Sequence, residues 1–159
     1  MKRSHKAGLG FGVTSGIITP LGIIVGLYSG TQSLAVIISG ILTIAIADAF
    51  SDSVGVHVSK ESDHDYTTRE IWEATISTFV SKFLFAIMFV VPFTFLSVKA
   101  AVIASVVWGM FLLSIFSYLI AKSRNGNPWL AIFEHVSISI VVVVMTYFMP
   151  IWISGWVGY

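Results

Sequence analysis

Long apolar runs separated by short polar segments dominate the chain and set its fold class before any single residue is weighed. A run of about 20 apolar residues is long enough to cross a bilayer as a helix. Charges and turn residues divide the chain into five such spans, at about 8–29, 34–57, 75–96, 100–121 and 129–153. Gly30-Thr31-Gln32-Ser33 turns the chain between the first two, and Lys122-Ser123-Arg124-Asn125-Gly126-Asn127-Pro128 is a loop before the last. A short polar loop over 58–74 separates the second span from the third, and Pro92 lies near the far end of the third. The runs are continuous, unlike the alternating segments of about ten residues that a membrane β-barrel needs. The expected fold is an all-α integral membrane protein, a single membrane domain over 1–159 with five transmembrane helices.

Composition narrows the class further. The 159 residues are 56% hydrophobic and 11% charged, with no cysteine, and the mean hydropathy is +0.90. Soluble domains carry about 25% charged residues, so this chain could not cover its surface in water. A water-soluble enzyme and a disulfide-stapled secreted domain are excluded. A formal net charge of +1 leaves no basic surface for nucleic acid. The lipid bilayer is the expected partner, and the expected location is integral and multi-pass, which in a prokaryote is the cell membrane. The basic opening lacks the short apolar core and cleavage site of a signal peptide.

Of the nine lysines and arginines, Lys2, Arg3, Lys6, Lys60, Arg69, Lys122 and Arg124 share one side of this arrangement. Lys99 lies on the other, and Lys82 falls within the third span. The positive-inside bias predicts a cytoplasmic N-terminus and an outside C-terminus. Tyr28, Trp72, Trp129, Trp152 and Trp156 fall near span ends, where aromatic rings prefer the interface.

Three features carry candidate chemistry. Gly12 and Gly16, then Gly22, Gly26 and Gly30, are spaced four apart in the first span, where small residues let helix backbones approach closely. Thr14, Ser15, Thr19 and Pro20 add hydroxyls and a missing backbone bond, so this helix is either a tightly packed bundle member or one beside a pathway. Asp48 and Asp52 project from one face of the second span. A carboxylate there costs about 2.5–3.5 kcal/mol on insertion scales, so two stacked ones need a reason. Hard-cation binding is one reason, a proton relay another, and an ion pair with Lys82 a third; a lysine paired with one aspartate leaves the other unexplained.

The segment 59–73 collects Glu61, Asp63, His64, Asp65, Glu70 and Glu73, either a surface cation trap or a solvated loop balanced by Lys60 and Arg69. Glu134 and His135 open the fifth span near the same side. No Walker, dinucleotide or metalloprotease motif and no nucleophile elbow occurs, so neither an enzyme nor an ATP-driven pump is expected.

The whole chain resembles the vacuolar iron transporter family. Gly12-Val13-Thr14-Ser15-Gly16-Ile17-Ile18-Thr19-Pro20 is similar to its first-helix signature, and Ser39-Gly40 with Ile44-Ala45 to its second helix. Val91-Pro92-Phe93 resembles the end of its third helix, and Asn125-Gly126-Asn127-Pro128-Trp129 with Thr146-Tyr147 its last loop and helix. The family's first-helix aspartate falls on Ser15, its second-helix glutamate on Thr43 and its Ser-Met pair on Phe50 and Ser51. Its long cytosolic metal-binding helices are reduced to 59–73.

The resemblance implies a homodimer through the first helix (Gly12, Gly16, Gly22, Gly26) and export of ferrous iron or manganese from the cytosol by proton exchange. The family's own metal ligands do not carry over to this chain; Asp48 and Asp52, on the same helix closer to the cytosol, are instead the expected core metal site, with Ser15 and Thr19 as neutral oxygen ligands. Glu70, Glu73 and His64 gather cations at the cytosolic mouth. No cofactor is required beyond the divalent metal as substrate. The alternatives are a non-transporting scaffold or interaction protein with a structural Asp–Lys pair, and a transporter of another small solute.

Overall fold

A computed structural model describes residues 3–158, with side chains from residue 7 onward. Met1, Lys2 and Tyr159, and the side chains of Arg3 and Lys6 counted above among the cytoplasmic cations, lie outside the described residues. The order is α1 (Arg3–Thr31), α2 (Leu34–Glu61), α3 (Thr68–Met88), α4 (Val91–Phe95), α5 (Val98–Ser123) and α6 (Pro128–Val157). Helix is the regular structure throughout the described residues, and with α4 counted as the end of the third span, five segments are long and apolar enough to cross a membrane.

Local chemistry explains where the helices stop. Gln32 takes a left-handed φ of 51° after α1, and Ser33 then caps α2 by accepting from the Val36 N–H. Asn127 accepts from the Trp129 and Leu130 N–H groups, and Pro128 fills the first helical position of α6, where no donor is needed. Near the far end of the third span, α3 ends at Met88 and α4 restarts with Pro92 in its first turn. Pro20, by contrast, sits inside α1 without ending it.

The polar segment expected at 58–74 is mostly helical, and only 62–67 connects α2 to α3. Thr67 and Glu70 form a reciprocal capping box: the Thr67 Oγ1 accepts from the Glu70 N–H and the Glu70 carboxylate accepts from the Thr67 N–H. Two orphan donors are satisfied there, so α3 begins in the polar layer well before its apolar run.

Helix α1 is the centre of the bundle, touching α2, α3, α5 and α6. Its glycines explain how. Gly12 and Gly16 lie on the α3 backbone: a Cβ at Gly12 would stand 2.7 Å from the Thr78 carbonyl oxygen, and one at Gly16 would stand 2.9 Å from that of Lys82. Gly22, Gly26 and Gly30 face Val142, Thr146 and Pro150 of α6 less tightly, with an added Cβ standing 3.0, 3.3 and 3.1 Å from the nearest atom. Both series rise together, so α1, α3 and α6 run parallel. Ser15 against Asp52 and Leu27 against Gly40 show α2 running the other way, as do Leu21 against Gly109 and Ser117 against His135 for α5.

These contacts correct the expected pairing of two copies through Gly12, Gly16, Gly22 and Gly26. The close-approach faces are filled by α3 and α6 of the same chain, and no room is left there for a second α1.

The interior is divided by polarity along its length. Val13, Ile17, Leu21, Ile41, Phe89 and Leu113 belong to one apolar cluster, with every one of these side chains almost fully enclosed. Toward the 62–67 connection, buried hydroxyls replace it: Thr75, Ser77, Thr78 and Ser81 of α3 with Ser53 of α2. Most bond to carbonyls of the preceding turn, such as Thr75 to Ile71 and Ser81 to Ser77, so their polarity is satisfied within α3. The outward surface is apolar, with Val54, Ile76, Leu84 and Phe133 all exposed, which fits a lipid environment.

Candidate cation site

The spacing of four residues stacks Asp48 and Asp52 on α2, and the antiparallel α3 brings Lys82 beside them. Lys82 Nζ donates to Asp52 Oδ2 and also lies 2.6 Å from Asp48 Oδ2. The lysine side chain is 2% exposed, whereas Asp48 is 29% and Asp52 25% exposed. One ammonium thus serves both carboxylates, and the three charges leave a net −1 at the site. The expected lysine–aspartate pair is therefore a triad, in which the one lysine also contacts the second aspartate.

The two carboxylates are held differently. Ser15 Oγ of α1 donates to Asp52 Oδ2 at 3.0 Å, so that oxygen receives two donors. Asp48 Oδ2 contacts the ammonium at close range but takes no well-aligned hydrogen bond. Gly16, next to Ser15, lets α1 rest on the backbone of Lys82. Adjacent residues of α1 therefore fix both members of the Asp52–Lys82 pair.

Other candidate ligands sit elsewhere. Thr19, a turn along α1 from Ser15, is half-buried and outside this hydrogen-bonded group. The Glu70 carboxylate serves the cap of α3, and Glu73 pairs with Arg69 at 2.9 Å. His64 is exposed in the 62–67 connection. Glu134 is exposed on α6, and His135 meets Ser117 of α5 at 2.8 Å. Among the described residues, no three histidine, aspartate or glutamate side chains converge on one point.

A cleft of about 360 Å³ opens between α2 and α3 on the connection side of the triad, lined by Phe50, Ser53, His57, Trp72, Thr75 and Phe79. His57 Nδ1 lies 3.0 Å from Thr75 Oγ1, and the imidazole meets the Trp72 ring edge-on at 4.8 Å. His57 is the last residue of the span expected over 34–57. Its partners on α3 sit 15 and 18 positions away, beyond what helical spacing reveals.

The Ser15–Asp52 bond spans 37 positions and has no sequence signature of its own. Lys82 did have one, a lone cation inside an apolar run. No protein-family model matches the chain, and no curated protein matches it.

Proposed function

We propose that this chain is a secondary transporter that exports a cation from the cytosol, with Asp48 and Asp52 forming its acidic site and Lys82 as the tethered ion that neutralises that site in part when cargo is absent. One observation carries the reading: two partly open carboxylates share a single sealed ammonium within membrane-spanning helices, leaving one negative charge uncompensated. A cargo cation takes the place of Lys82 at this acidic site, on at least one of the two carboxylates, and oxygen ligands of this kind suit manganese or ferrous iron. The resemblance to the vacuolar iron transporters points to the same metals and to proton exchange. The end bearing Lys60, Arg69, Lys122 and Arg124 faces the cytosol by the positive-inside bias.

Reconstituted into liposomes, the protein is expected to take up manganese or ferrous iron along an imposed gradient. Asp48→Asn combined with Asp52→Asn should reduce uptake to the level of empty vesicles. Absence of uptake by the parent chain, or uptake unchanged in the double variant, overturns the reading.

A second reading has its own support, since Lys82 reaches both aspartates and Ser15 completes Asp52. Such a triad also suits a membrane scaffold that moves no ion. Asp52→Lys together with Lys82→Asp should then restore the expression that each single change loses. A transporter that needs the original placement would regain expression without uptake.

A further inference from the structure

The unequal support of the two aspartates assigns them different tasks. Asp52 Oδ2 receives both Lys82 and Ser15, and Gly16 seats the neighbouring backbone of α1 on Lys82, so carboxylate, ammonium and hydroxyl are held by three helices. Asp48, one turn away on α2, touches the same ammonium without a well-aligned hydrogen bond and has no second donor. It is also slightly the more exposed of the two. A charge-assisted hydrogen bond is roughly twice as strong as a neutral one, and in a low-dielectric interior each added donor further stabilises the carboxylate that accepts it. Removing Lys82 from Asp48 therefore breaks less than removing it from Asp52.

We infer that Asp52 is the permanent anchor of Lys82, that Ser15 is the positioning residue which makes it so, and that Asp48 alone is the exchangeable carboxylate that takes a divalent cation. The inference rests on the transport reading for its cargo but not for its anchor. Ser15 thereby acts through Asp52 and Lys82 and need not touch the ion.

Two measurements separate these claims. Without metal, unfolding in detergent tests the anchor. Asp52→Asn should lower the unfolding temperature by about 5 °C more than Asp48→Asn, because only the former strips the lysine of its hydrogen-bonded partner. Equal losses, or a larger loss from Asp48→Asn, overturn the assignment.

Binding of manganese ion, followed by electron paramagnetic resonance, tests the exchangeable group. Lys82→Met with Asp52→Asn leaves Asp48 free and should bind within about threefold of the parent, whereas Lys82→Met with Asp48→Asn should bind at least about tenfold more weakly. The two double variants carry the same net charge, so the difference reports position. Ser15→Ala should weaken binding about threefold in the parent and leave it unchanged in the Lys82→Met, Asp52→Asn background, a coupling that a merely structural serine does not produce. Ser15→Thr, which keeps the hydroxyl, should restore the parent value.

Double variants that bind alike, or neither binding while the parent binds, overturn the inference and leave the transport reading standing. A parent that binds no manganese, with the unequal temperature loss intact, overturns the cargo assignment and the transport reading together while the anchor survives.

Discussion

Lys82→Met is expected to destabilise the protein by about 3–5 kcal/mol, the range seen when one member of a buried ion pair is removed. The parent triad carries a formal net −1; the variant carries −2 on two partly exposed carboxylates stacked one turn apart. Like charges at this spacing repel, and neither gains a replacement donor except Asp52, which keeps Ser15. Unfolding in detergent can be followed through the five tryptophans, which are distributed over three helices. Adding Asp48→Asn to the variant should recover much of the loss by removing the less supported charge. A Lys82→Met protein as stable as its parent would mean that the lysine does not neutralise the aspartates in the folded state.

Gly12→Ala is the second large effect expected. The added methyl would meet the Thr78 carbonyl oxygen at 2.7 Å, and that atom belongs to helical backbone that cannot rotate away. Helices α1 and α3 must separate along the seam from Gly8 to Gly16, at a cost of about 1–3 kcal/mol for overpacking. Gly55→Ala is the matched control. Nothing lies within 4 Å of a Cβ there, so only helix propensity changes, and stability should hold or rise by up to about 1 kcal/mol. Equal behaviour of the two variants in thermal unfolding would contradict the close packing of α1 on α3.

The five spans were legible because bilayer thickness imposes a run length that few other constraints produce. The start of α3 was missed, because the apolar run alone placed the span later; its signal is the Thr67-Thr68-Arg69-Glu70 capping pattern. What spacing could not convey was direction around the helix axis and identity of the neighbour. The glycines of α1 announce a close approach equally well to a second copy or to α3 and α6, because a missing Cβ says nothing about what fills the space. Lys82 and the two aspartates were readable as charges at similar depth. That one ammonium reaches both carboxylates depends on the antiparallel register of α2 and α3, and the Ser15 bond depends on where α1 crosses them. Such contacts arise from tertiary packing and leave no trace in local periodicity.

During synthesis, α2 reaches the membrane before α3 and arrives with two carboxylates and no counter-ion. Each ionised side chain costs about 2.5–3.5 kcal/mol when a helix inserts alone, and Lys82 would meet the same penalty in its turn. The connection of 62–67 is short, so α3 folds back beside α2 as its neighbour in sequence, and the ammonium lies against both aspartates. Entry of the two helices as one hairpin is the route this geometry favours energetically, since it matches their charges before either meets lipid by itself.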